Sequence, residues 1–165
     1  MERVSVDDVE NSVRPAAVVR GLTDPLGATD LALNWYELTP GDSFGFAYHC
    51  HENQEEVFVV IEGTATFETE DGDVEVGPRE AIRFAPGEFQ RGWNRGDERV
   101  VALALGAPQQ AGASTTLVDC PDCGERTDNR IERADDGDFR TVCQVCGTET
   151  GRWTRGDDGE NEWVE

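Results

Sequence analysis

The sequence predicts an all-β fold, a sandwich or barrel of short strands, followed by a small module that depends on bound metal. Three observations carry this. Short apolar and β-branched runs crowd residues 31–107, with Gly, Pro or Asp-Gly at the corners and no sustained helical period. A polar stretch of small residues, Gln109 to Ser114, then reads as a linker. Beyond it large apolar side chains become scarce, and four of the five cysteines appear as two Cys-x-x-Cys pairs.

The strands are justified in order. Leu31 to Leu38 is apolar and ends at the turn signal Pro40-Gly41. Phe44 to His51 alternates, with Phe44, Phe46, Tyr48 and Cys50 on one face and Gly45, Ala47, His49 and His51 on the other. Glu56 to Ile61 is β-branched and aromatic, as a strand covered on both faces should be. Thr64 to Glu70 alternates and leads through Asp71-Gly72 into Val74 to Val76, a hairpin signal. Ala81 to Phe84 is short and closed by Pro86-Gly87, and Val100 to Leu105 is the last apolar strand. Ala16 to Val19 is a candidate edge strand. These runs divide the chain into residues 1–113, with a core at about 30–107, a metal-stapled module at 114–155 and an acidic, frayed tail at 156–165.

Charge excludes some functions. The chain has 165 residues, 35 Asp plus Glu against 14 positive residues, all of them Arg, and a net charge of −21. Residues 1–113 hold 21 acids against 8 arginines, a balance of −13, and residues 114–165 hold 14 against 6, a balance of −8. The acidity therefore belongs to the whole surface. An acid excess without lysine resembles the proteins of salt-in halophilic archaea, where molar salt shortens the Debye length to about 3 Å and removes self-repulsion. Nucleic acid is disfavoured as a partner because like charge repels phosphate. No run of 18 apolar residues is present, so a membrane helix is excluded. Met1 to Glu10 lacks the apolar core of a secretory signal, so a cytoplasmic protein is expected.

Cys120-Pro-Asp-Cys123-Gly and Cys143-Gln-Val-Cys146-Gly are separated by nineteen residues. A two-residue spacer lets both thiolates of a pair face one ion, and Zn²⁺ takes four such ligands in a tetrahedron. The segment resembles a zinc ribbon over about residues 118–154. Two disulfides are the competing reading, which a reducing cytosol disfavours. Trp153, between Arg152 and Arg155, is either packed on the module or part of a contact surface.

The only two histidines, His49 and His51, are two apart, so a strand puts both on one face. Glu56 opens the next strand, and a hairpin partner would set its carboxylate opposite them. Two neutral imidazoles and one carboxylate with open positions suit Fe(II) or a related divalent ion. His49-x-His51-x4-Glu56-x6-Gly63 resembles the first motif of the cupin superfamily. Pro86-Gly87-Glu88-Phe89-Gln90 with Asn94 resembles the second, except that Gln90 stands where that family has a third metal-binding histidine.

The resemblance covers about residues 30–107 and implies an antiparallel jelly-roll barrel with a site in its mouth. It places His49, His51, Glu56 and Gln90 at metal positions, for Fe, Mn, Ni or Zn, and it implies a homodimer. A metal-free pocket, with the imidazoles hydrogen-bonded to Glu56 and Gln90, is the alternative. Glu55 has the opposite parity and should point away. Cys50 lies on the other face and reads as a buried apolar residue. The sequence then leaves two functions open. One is a small-ligand binding or sensor module whose ribbon docks a protein partner. The other is a metal-dependent enzyme of dioxygenase or isomerase type.

Overall fold

The structure, a computed structural model, describes residues 1–164. One 3₁₀ turn, Val6–Asp8, precedes fourteen strands. These are β1 (Val18–Gly21), β2 (Ala32–Leu38), β3 (Tyr48–His51), β4 (Glu55–Glu62), β5 (Ala65–Thr69), β6 (Gly72–Val76) and β7 (Ala81–Phe84). The remainder are β8 (Gln90–Trp93), β9 (Val100–Ala107), β10 (Ser114–Cys120), β11 (Glu125–Arg133), β12 (Phe139–Cys143), β13 (Glu149–Arg155) and β14 (Asn161–Trp163). They form a five-stranded sheet in the order β1-β2-β9-β4-β7 and a nine-stranded sheet in the order β14-β13-β12-β11-β10-β3-β8-β5-β6. Every pairing is antiparallel. The fold is thus all-β, built as two facing sheets that do not close edge to edge into a barrel.

Phenylalanines from both sheets fill the space between them. Phe58 and Phe84 come from the first sheet, Phe67 from the second, and Phe44 from the chain just before β3. Phe44 stacks on Phe67 with ring centroids 5.6 Å apart, and Phe58 meets Phe67 at 5.0 Å. Leu38, Val60, Val100 and Ala102 complete this core. Burying one such ring stabilises by about 1.5–3 kcal/mol.

The turn after β4 explains the glycine of the histidine motif. Gly63 has φ +71°, and a Cβ there would lie 2.5 Å from the Arg99 carbonyl oxygen. Gly63→Ala should therefore destabilise by roughly 1–3 kcal/mol or more, through left-handed strain and this clash. A urea midpoint equal to that of the parent would contradict this account.

The structure departs from the sequence reading in four places. First, the strand expected over Phe44 to His51 begins only at Tyr48, because Phe44 turns into the core while Phe46 packs on Trp153, 4.9 Å between centroids. Second, β8 has no signal in the sequence. Its buried positions are Gln90 and Gly92, so its alternation is one of burial and not of hydrophobicity. Third, the cysteine-rich segment is continuous with the main fold. β10 pairs directly with β3, matching Ser114 to His51 and Thr116 to His49, so the sheet runs unbroken past the expected boundary at 113/114. Fourth, the expected frayed tail is ordered as far as described. β14 pairs with β13, and the Asn161 amide donates to the Ser12 and Ala16 carbonyls; Glu165 lies outside the described residues. Trp153 is buried against Phe46 and Trp163, which settles its role as packing. No helix among the described residues is long and apolar enough to cross a membrane.

Candidate metal centre

β3 aims His49 and His51 into the space between the sheets, where their rings stand 5.1 Å apart and nearly perpendicular. Gly45 makes this possible, since a Cβ on it would sit 3.0 Å from His49 Cε1. Glu56 does not come from a hairpin partner, as the sequence implied. It lies on β4 of the opposite sheet and reaches across the interior. Its Oε1 is 3.5 Å from His51 Nε2 and its Oε2 is 3.7 Å from His49 Nε2. Donors that share one ion at about 2.1 Å sit about 3–3.5 Å apart, so a small inward adjustment would seat a divalent cation. Glu55 points away and pairs with Arg83 at 2.5 Å.

The outer imidazole nitrogens are held in a way that suits ligation. His49 Nδ1 lies 2.9 Å from the Ala47 carbonyl, which can only accept, so the proton sits on Nδ1 and the Nε2 lone pair faces the site. His51 Nδ1 lies 2.7 Å from Ser114 Oγ, a hydroxyl able to accept its N–H. Gln90 is fully buried and lies across from His49 on β8. Its amide nitrogen donates to Glu56 Oε2 at 2.8 Å and lies 3.4 Å from His49 Nε2. Its Oε1 is buried without a partner, so in this arrangement Gln90 fixes the carboxylate and its oxygen stays idle.

Burial pushes the Glu56 carboxyl up, but hydrogen bonds and charge from His49 and His51 outweigh it and bring it from 4.5 down to about 2. A depressed carboxyl contributes stability above its unfolded value and loses it as pH falls through its folded value. In metal-free protein, up to about 3 kcal/mol should therefore disappear between pH 4.5 and about 2. Denaturant melts across that window check it: Glu56→Gln should flatten the slope, and a parallel slope would contradict the assignment.

A cavity of about 230 Å³ opens from these residues. Tyr36, Phe44, Phe46 and Phe58 wall it, Asn34, Gln54, Ser114 and Thr116 add polar groups, and Arg14 and Ile131 reach it from the N-terminal segment and β11. Burial pushes the Tyr36 hydroxyl up to about 12, so it keeps its proton at neutral pH. Sequence reasoning missed Arg14, Asn34 and Ser114 as lining residues. Ser114 lay in the supposed linker, although Thr115 to Val118 carries a β-branched signal, while Arg14 has no local signal.

At the far end of β10 the four cysteine sulfurs lie within 4.8 Å of one another. Cys120 and Cys146 Sγ are 3.5 Å apart, and Cys123 and Cys143 Sγ are 3.9 Å apart. A tetrahedron with Zn–S bonds of about 2.3 Å has edges of about 3.8 Å, whereas a disulfide needs about 2.05 Å. The sulfurs thus fit one tetrahedral ion.

Residues 34–106 match the family model of the cupin domain. This segment is therefore similar to a cupin domain. The cupin fold recurs in solved structures. A sugar phosphate isomerase of the cupin superfamily from Silicibacter pomeroyi superposes with TM-score 0.58 at 16% identity, over 99% of this chain and 92% of that one. A polyketide cyclase from Streptomyces resistomycificus superposes with TM-score 0.58 at 27% identity, over 75% of this chain and 90% of that one. A "predicted oxalate decarboxylase" from Thermotoga maritima gives TM-score 0.56 at 18% identity, over 64% and 98%. The chain matches no curated protein. Within this cupin-like segment the histidine motif supplies the cavity floor, and the residues beyond 113 supply part of its wall.

Proposed function

We propose that this chain is a metal-binding cupin whose cavity holds a small ligand against an ion at His49, His51 and Glu56, and that it works as a binding or sensor module. One observation carries the choice of binding over turnover. Apart from the three ion donors, the ionisable residues lining the cavity are Arg14, always charged, and Tyr36, held protonated. No lining group outside the ion donors is thus placed as a general acid or base. A bound divalent ion would supply a Lewis-acid centre with open positions. His49, His51 and Glu56 would hold it, Gln90 would orient Glu56, and the aromatic walls would exclude water.

The second reading, a metal-dependent enzyme, is favoured by those open positions and by the enzymes among the similar folds. Oxygen uptake and product formation with Fe(II)-loaded protein separate the two: stoichiometric ligand capture without turnover supports the module, and sustained turnover overturns it.

In the same reading the cysteine cluster carries Zn²⁺ as a structural staple, and the charge of −21 is an adaptation to salt. The melting temperature should then rise markedly from low to multimolar KCl, as screening relieves self-repulsion. Equal melting at both ends would sink the salt reading.

A further inference from the structure

We propose that the cavity selects a small organic carboxylate with an apolar body, and that Arg14 receives its carboxylate group. The proposal rests on the reading of the cavity as a ligand site and names the class of ligand.

Seven of the fourteen arginines pair with the chain's own acids, Arg95 with Asp73 and Arg130 with Glu132 among them. Arg83 pairs with Glu55, Arg99 with Glu37 and Glu160, Arg126 with Glu68, Arg140 with Glu132 and Glu149, and Arg152 with Asp136 and Asp138. Arg14 is one of the seven with no ion pair among the described residues, and it alone of the fourteen lines the cavity. It is not loose. Its guanidinium lies 4.7 Å from the Phe139 ring centroid and 5.7 Å from that of Phe46, and its Nη1 donates to the Val13 carbonyl at 2.9 Å. These contacts fix the plane of the guanidinium and spend one N–H, while Nε and Nη2 have no partner among the described residues. Both aromatic supports belong to the packing of the cysteine-rich segment on the cupin-like segment, since Phe46 and Phe139 are 5.7 Å apart.

A planar fork held this way matches a carboxylate bidentately. A phosphate dianion is the poorer fit. The cavity brings no second arginine and no helix N-terminus, which are the usual additional donors to phosphate. The remaining walls, Tyr36, Phe44, Phe58 and Ala104, suit a flat apolar body. One end of such a ligand would meet Arg14 and the other the floor at His49, His51 and Glu56.

The test is calorimetric titration of the full chain with benzoate, its neutral isostere benzamide, and inorganic phosphate, with metal content measured on each sample. The expected result is benzoate binding at least about tenfold tighter than benzamide or phosphate, the usual worth of a charge-assisted hydrogen bond. Arg14→Gln should remove that preference, Arg14→Lys should restore part of it, and the ion content should not change in either. Equal affinity for benzoate and benzamide, tighter phosphate binding, no binding of benzoate, or an undiminished preference in Arg14→Gln overturns the proposal. If Arg14→Gln does not fold, the parent's comparison of benzoate with benzamide still decides. A parent with no ion beyond the cysteine-bound one refutes the metal reading alone, because the benzoate preference depends on Arg14.

Discussion

Replacing His51 with alanine is expected to strip one divalent ion per chain from the cavity and to leave the cysteine-bound ion in place. The chain has only two histidines, and both Nε2 atoms face Glu56 across the interior. Removing one leaves a single imidazole and a single carboxylate, too few donors to compete with water for a divalent ion. The loss should exceed the roughly 10–100-fold typical of a residue that only supports a ligand. Ser114→Ala provides that comparison, since it keeps every donor and releases only the partner of His51 Nδ1. It should weaken binding within that 10–100-fold range. Elemental analysis of the parent and both variants checks this, and an unchanged metal-to-protein ratio in His51→Ala would refute the site.

Replacing Cys143 with serine should unfold much of the segment from β11 to β14. Cys143 is fully buried, and its sulfur lies 3.2 Å from Thr127 Oγ1 and 3.9 Å from Cys123 Sγ. Structural Zn²⁺ contributes about 10–16 kcal/mol of apparent binding energy in small modules, comparable with the whole stability of a domain. Val142 and Trp153 are the buried large apolar side chains of this segment, so little else replaces the ion. The damage should also reach the cavity. β10 carries Cys120 at one end, and at the other Ser114 and Thr116, which pair with His51 and His49. Hydrogen exchange should show lost protection in β11 to β14, and metal titration should show weaker binding at the histidine site. Native protection in a variant lacking the cysteine-bound ion would overturn this account.

Much of the fold was legible in the sequence. Ala81 to Phe84 is a strand as expected, and the hairpin at Asp71-Gly72 joins β5 to β6. The edge position of Val18 and Val19 is also as read, with β1 at the margin of its sheet. What escaped was whatever lacked a hydrophobic signature. β8 hides because Gln90 and Gly92 take its buried positions. β14 hides because Asn161, a polar residue, anchors it by hydrogen bonds to the N-terminal segment.

The candidate site divides in the same way. His49 and His51 stand two apart on one strand and the cysteines stand in pairs, so the donor types and their grouping follow from local spacing alone. Glu56 was found by its motif, but its position across the interior on the opposite sheet was not. Tertiary structure alone decided three things: that Glu56 faces the imidazoles from β4, that β10 extends the sheet and sets Ser114 beside His51, and that Arg14 enters the cavity. The physical reason is range. Side-chain periodicity and ligand spacing are set by the local backbone, whereas the pairing of β3 with β10 and the approach of Arg14 to Phe139 depend on how distant segments pack.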